Sequence, residues 1–127
     1  MATKGQEMSV TYKLLAEDGS IAEATLEREF VQGLVSLPDN PTDFFRLEGD
    51  VIFLELAALV NSRARQRGIL NANEYMRQAA NGDMEKRQPI SVSPLSENLW
   101  QVVDGNSTVL NALLSGWSKV PCIVNNE

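Results

Sequence analysis

The residues best suited to chemistry lie in one short run, Asp104-Gly105-Asn106-Ser107-Thr108. A strand-type segment, Leu99-Trp100-Gln101-Val102-Val103, precedes it, and a helix-type segment from Val109 to Leu114 follows, stopped by Gly116. A glycine between strand and helix lets the backbone bend closely, and the first amides of a helix have no intrahelical partner, so the run reads as an anion pocket. The hydroxyls of Ser107 and Thr108 add donors for a phosphate, and Asn106 or Ser107 is the expected N-cap. The same spacing also describes a capped helix with no ligand, which is the commoner use of such a turn. Asp104 repels a phosphate unless its carboxylate caps the loop, holds a metal through oxygen or accepts a substrate proton.

Composition removes several other chemistries. The chain contains no histidine, so Ser-His and Cys-His nucleophile pairs cannot form within it. Its one cysteine, Cys122, sits in the apolar run Cys122-Ile123-Val124, which excludes a disulfide framework and reads as a small buried hydrophobe. Seventeen acidic against 11 basic residues give a net charge of −6, so duplex DNA is an unlikely partner without a local basic patch. Asn106-Ser107-Thr108 also spells a glycosylation sequon, set aside because the polar start of the chain is not a secretory leader. No apolar run approaches membrane-spanning length, and a cytoplasmic protein is expected.

Basic residues that could complete an anion site lie upstream. Arg63, Arg65 and Arg67 precede Gly68, and Lys86-Arg87 precede Gln88-Pro89. The first group has a structural explanation: a helix over Val51–Val60, with Asp50 as N-cap, would end in these arginines, where cations favour the macrodipole, with Gly68 as the left-handed stop. The functional alternative is an arginine cluster forking onto phosphate oxygens.

The elements that must position these groups are read from periodicity. Residues 1–8 are expected to be a flexible tail and 9–127 a single α+β domain, a small mixed sheet with packed helices. Val10 to Ala16 reads as a strand before the turn Glu17-Asp18-Gly19. Leu26, Phe30 and Leu34 predict a helix over about Thr25–Val35, either from the Ser20 cap or after a brief second strand. Asn71 and Glu74 open a short helix that stops at Asn81-Gly82. Ile90 to Pro94 and Leu99 to Val103 form a hairpin, and Val120 to Val124 is a last strand reached by a right-handed parallel crossover from Val102. The apolar stretch from Leu37 to Gly68 could alternatively supply a homodimer face.

Gln88-Pro89-Ile90-Ser91-Val92, Trp100 to Asn106, Ala112 to Trp117 and Val120-Pro121-Cys122-Ile123-Val124 together resemble the core of the ParB/sulfiredoxin superfamily. The resemblance covers about residues 86–124. It implies a Gln-Pro-Ile-x-Val strand, a glycine turn, a helix and a closing strand that bind a nucleotide or phosphate. The implied binding residues are Arg87, Gln88, Pro89, Gly105, Asn106, Ser107 and Thr108, and a nucleotide with Mg²⁺ is the implied cofactor.

Departures narrow the activity. Asn106 stands where the reductase branch has its reactive cysteine, which excludes thiol chemistry there. Thr108 stands where relatives grip phosphate with arginine, so charge must come from Arg87, Lys86 or the Arg63-Arg65-Arg67 group. The DNA clamp carries a helix-turn-helix module after this core, for which the chain to Glu127 has no room. The expectation is therefore a nucleotide- or phosphate-binding regulatory or interaction module with a degenerate catalytic motif, and no metal ligand set is assigned. The alternative is a metal-assisted phosphotransferase or nuclease using Asp104, with Glu97 as a second carboxylate. Trp100 and Trp117 are expected to pack rather than to stack on a base.

Overall fold

The computed structural model describes residues 9–125; the tail expected over 1–8 lies outside them. Seven strands form one mixed sheet: β1 (Ser9–Leu15), β2 (Ile21–Glu27), β3 (Ile52–Glu55), β4 (Leu59–Asn61), β5 (Ile90–Ser96), β6 (Leu99–Asp104) and β7 (Lys119–Val124). Their spatial order is β2-β1-β4-β6-β5-β7-β3. Three helices accompany them, the single turn α1 (Pro41–Phe44), α2 (Gln66–Ala80) and α3 (Asn106–Leu114). The fold class is α+β, as the periodicity implied.

The main core forms where alternation along the strands meets the helices. Ile90 and Val92 of β5, Val102 of β6, and Val120 and Cys122 of β7 pack with Met76 of α2 and Val109 and Ala112 of α3. A second cluster joins Leu26, Val31 and Leu34 to Ile69 of α2 and to Leu110 and Leu114 of α3. Trp117 is the aromatic centre, its ring 5.8 Å from Phe44 and 6.3 Å from Phe45, with Nε1 donating to the Leu37 carbonyl at 3.0 Å. Such ring pairs add about 0.5–1.5 kcal/mol each beyond burial. Trp117 therefore packs, as expected, and Trp100 is partly buried against the same core.

Four expectations are corrected. The helix over Thr25–Val35 is instead the end of β2 followed by a 3₁₀ turn over Arg28–Val31. Seven cross-strand pairs with β1 hold Ile21 to Glu27 extended, while Gly33 at φ +94° breaks any helix beyond it. The helix over Val51–Val60 is β3, a 3₁₀ turn at Leu56–Ala58, and β4. A short continuous apolar run has no period that separates helix from strand, and here pairing with β7 and β6 decides it.

As a consequence, the arginines close no helix. Arg65 is the N-cap of α2, Arg67 lies in its first turn and Gly68 is helical, so the short helix expected from Asn71 begins five residues earlier, at Gln66. The last correction concerns β7, which does not lie beside β6. It pairs parallel with β5 and antiparallel with β3, so the chain from β6 through α3 passes over β5 and returns antiparallel to β6, not by a parallel crossover.

Candidate functional site

The sequence of β6 ends on Asp104, and Gly105 turns the chain directly into α3. Gly105 has φ +108°, and a Cβ there would meet Ile90 Cδ1 at 2.9 Å, so both backbone conformation and space require glycine. Gly105, not Asn106 or Ser107, is the N-cap of α3, and no side chain caps the helix. The first intrahelical bond runs from the Val109 amide to the Gly105 carbonyl at 2.9 Å, which leaves the amides of Asn106, Ser107 and Thr108 at the positive end of the helix.

The start of α2 comes up beside it. A Cβ on Gly68 would lie 2.8 Å from Ser107 Oγ, so glycine permits the close approach of the two helix starts. Asn111 ties them further: its Nδ2 donates to the Ile69 carbonyl at 3.0 Å and to the Ser107 carbonyl at 2.9 Å. Its Oδ1 accepts from Asn73 Nδ2 at 2.8 Å, and Asn73 Oδ1 in turn accepts from Arg77 Nε at 3.2 Å. These buried amides fix the helices in register through satisfied hydrogen bonds.

Between the helix starts lies a cavity of about 310 Å³ lined by Arg63, Arg65, Gly68, Asn71, Ala72, Tyr75, Arg87 and the run Asp104–Thr108. A second one, about 370 Å³, shares Arg87, Asp104, Gly105 and Thr108 with the first and is otherwise lined by Glu85, Lys86, Gln88, Pro89 and Ile90. The structure thus gathers Asp104, Gly105, Asn106, Ser107, Thr108 and Arg87 around the first space, with Gln88 and Pro89 on the second.

Individual roles differ from expectation. Asn106 is buried and faces inward: its Oδ1 accepts from Asn61 Nδ2 at 2.9 Å and from the Ser62 amide at 2.8 Å. It is a clip between β4 and α3. Thr108 is also buried, and its Oγ1 accepts from Arg87 Nε at 3.2 Å. The guanidinium that reaches Thr108 thus comes from the segment just before β5, where Arg87 forms an isolated bridge with Phe45. The Arg87 backbone is anchored to Phe44 and Arg46 by bonds of 2.8 and 2.9 Å. Burial pushes the Arg87 pKa below the ordinary guanidinium value, partly offset by Asp104 and Tyr75.

Lys86 is directed elsewhere, its Nζ donating to the Thr42 carbonyl at 2.6 Å, although it borders the second space. Arg67 lines neither cavity. Glu97 sits in the hairpin turn at the opposite end of β6 from Asp104, so the two carboxylates do not share a site. Among the described residues, no group of three or more histidine, cysteine, aspartate or glutamate side chains could hold a metal ion.

Sequence reasoning did not single out Asn61, Asn111 or Tyr75 for the site. Asn61 had a readable signal, a polar residue directly after the apolar Leu59-Val60 of a buried strand. Comparison of the chain with protein-family models and with curated proteins finds no match. No helix among the described residues is long and apolar enough to cross a membrane.

Proposed function

We propose that this chain is a nucleotide- or phosphate-binding module of the ParB/sulfiredoxin-like type, acting in the cytoplasm as a regulatory or interaction domain. One observation carries the reading: Arg63, Arg65 and Arg87 line a single cavity together with the uncapped start of α3. Cations at the start of a helix oppose its macrodipole, at a cost of about 0.3–1 kcal/mol each, so the structural explanation available for a helix C-terminus is lost for Arg63 and Arg65. A bound anion offsets that cost and accepts from guanidinium forks and free amides together. The exposed Tyr75 ring on the same wall offers a face to a base or sugar.

Calorimetric titration with a panel of nucleotides and inorganic phosphate, with and without Mg²⁺, tests the reading. Micromolar to millimolar binding lost in Arg87→Ala supports it; absence of binding by every member defeats it.

Asp104 borders both cavities, which favours a second reading as a phosphotransferase or nuclease. As the only carboxylate among the described residues that line the first cavity, it would hold Mg²⁺ together with ligand phosphates rather than alone. Phosphate release or DNA cleavage abolished by Asp104→Asn, with the fold intact, is the expected result under that reading; activity indifferent to the substitution removes it.

A further inference from the structure

A separate cavity of about 440 Å³ opens where β1 and β4 part. The two strands pair only at Lys13–Val60 and Leu14–Asn61, because the 3₁₀ turn at Leu56–Ala58 replaces what would be the earlier part of β4. Tyr12, Leu59, Leu113 and Trp117 give it apolar and aromatic walls.

Its floor carries an acceptor. Asn61 is only 1% exposed, and its Nδ2 donates to both Oδ1 and the backbone carbonyl of Asn106, at 2.9 and 3.2 Å. Both partners are acceptors, so the amide orientation is fixed and Oδ1 is left without a protein donor. Among the described residues no fully enclosed side-chain polar atom lacks a partner, so Oδ1 keeps a little surface, and Asn61 is one of the residues that line the cavity.

The charges agree with an acceptor floor. Glu23 and Glu55 stand exposed at the rim, against one basic lining residue, Lys13, whose Nζ is already engaged by the Ala57 carbonyl at 2.7 Å. Two carboxylates against one ammonium leave the lining net negative, within a chain of net charge −6. Aromatic faces beside such a rim also attract cations.

We propose that this cavity is a second binding site, independent of the anion site, that takes a small primary ammonium compound with an apolar or aromatic body. The ammonium donates to Asn61 Oδ1 and the rim carboxylates, and the body lies against Tyr12 and Trp117.

Nitrogen-15 NMR of the full chain provides the test, with phenethylamine as the cationic probe and 2-phenylethanol as its neutral counterpart. The amine is expected to shift the Trp117 indole and Asn61 side-chain resonances at millimolar concentration, with the alcohol binding about tenfold more weakly, as loss of one charge-assisted hydrogen bond implies. The E23Q/E55Q double variant, altered only at exposed positions, should reduce the amine's affinity about as much while leaving the alcohol's unchanged. Leu113→Phe, which fills the space, should abolish binding of both. Equal affinity for amine and alcohol, shifts centred outside this cavity, no shift at all, or an amine affinity indifferent to E23Q/E55Q overturns the proposal. Each of these outcomes is separate from the nucleotide titrations, which read a different cavity.

Discussion

If the cavity binds anions as proposed, Arg87 and Thr108 form the pair on which recognition turns. The guanidinium is half-buried, and its Nε is oriented by a buried threonine hydroxyl, so the remaining nitrogens are presented in a fixed fork. Arg87→Ala is expected to weaken nucleotide binding tenfold to a hundredfold, since a charge-assisted hydrogen bond contributes about 1.5–3 kcal/mol. Arg87→Lys should recover only part of that, because an ammonium keeps the charge and loses the fork. Thr108→Val retains the charge and the volume but releases the guanidinium, so its affinity should fall between wild type and Arg87→Ala in the same titration. Gly105 makes the neighbouring prediction, on stability rather than binding. A side chain there adopts a left-handed backbone at a cost of about 1–2 kcal/mol and also displaces Ile90 from 2.9 Å. Gly105→Ala should therefore lower the urea-unfolding free energy by about 2 kcal/mol or more; a loss below 0.5 kcal/mol contradicts the strained-turn account.

Two helix starts, α2 and α3, meet at the cavity proposed to bind an anion, and this convergence gives a double variant opposite effects on folding and binding. Removing Arg63 and Arg65 takes cations from the unfavourable end of α2, so R63A/R65A should be unchanged or up to about 1 kcal/mol more stable. The same change should weaken anion binding and flatten its salt dependence, because fewer charges are screened. Denaturant melts and titrations at two salt concentrations check both signs, and a less stable variant with unaltered binding would make these arginines structural. The elements also show what was legible in the sequence. From Ile90 onward, alternation, the Asp104-Gly105 turn and Gly116 named the hairpin, α3 and β7, because each signal there is local. Upstream, Val51 to Val60 was unreadable for a physical reason: its fate depends on β6 and β7, distant in sequence, and a run without a period carries no trace of such partners. The site inherited that error. A helical reading of Val51–Val60 makes Gly68 its stop and the arginines its C-terminal cations, whereas Gly68 serves the contact with Ser107. The polar Asn61 after Leu59-Val60 signals the Asn61–Asn106 clip only once that run is known to be a strand, because after a helix the same asparagine reads as a loop residue.

At the scale of the whole molecule, the sheet that carries both cavities is held together through a core whose one ionisable sulfur sits at its centre. Cys122 is fully buried on β7, between β5 and β3, and burial pushes its thiol from 9.0 up to about 12, with the Leu54 amide opposing. The thiol is neutral when protonated, so its raised value means the folded chain holds the proton more tightly than the unfolded chain does. Below the unfolded value of 9.0 both states keep the proton and the thiol contributes no pH dependence. Between 9.0 and about 12 the unfolded state loses it first, and folding stability falls as pH rises, with a limiting slope of about 1.4 kcal/mol per pH unit. Tyr12, whose pKa burial also raises, adds a smaller loss of the same sign above its ordinary value of 10.0. Urea unfolding followed from pH 8 to 11 should show this decline, and Cys122→Ala should be less stable at pH 8 from the lost volume yet flatter across the alkaline range. Thiol titration with a disulfide reagent gives the companion result. Labelling of Cys122 in the folded chain should track global unfolding, and rapid reaction at pH 8 without denaturant would show that the β7 centre of the sheet is open rather than packed.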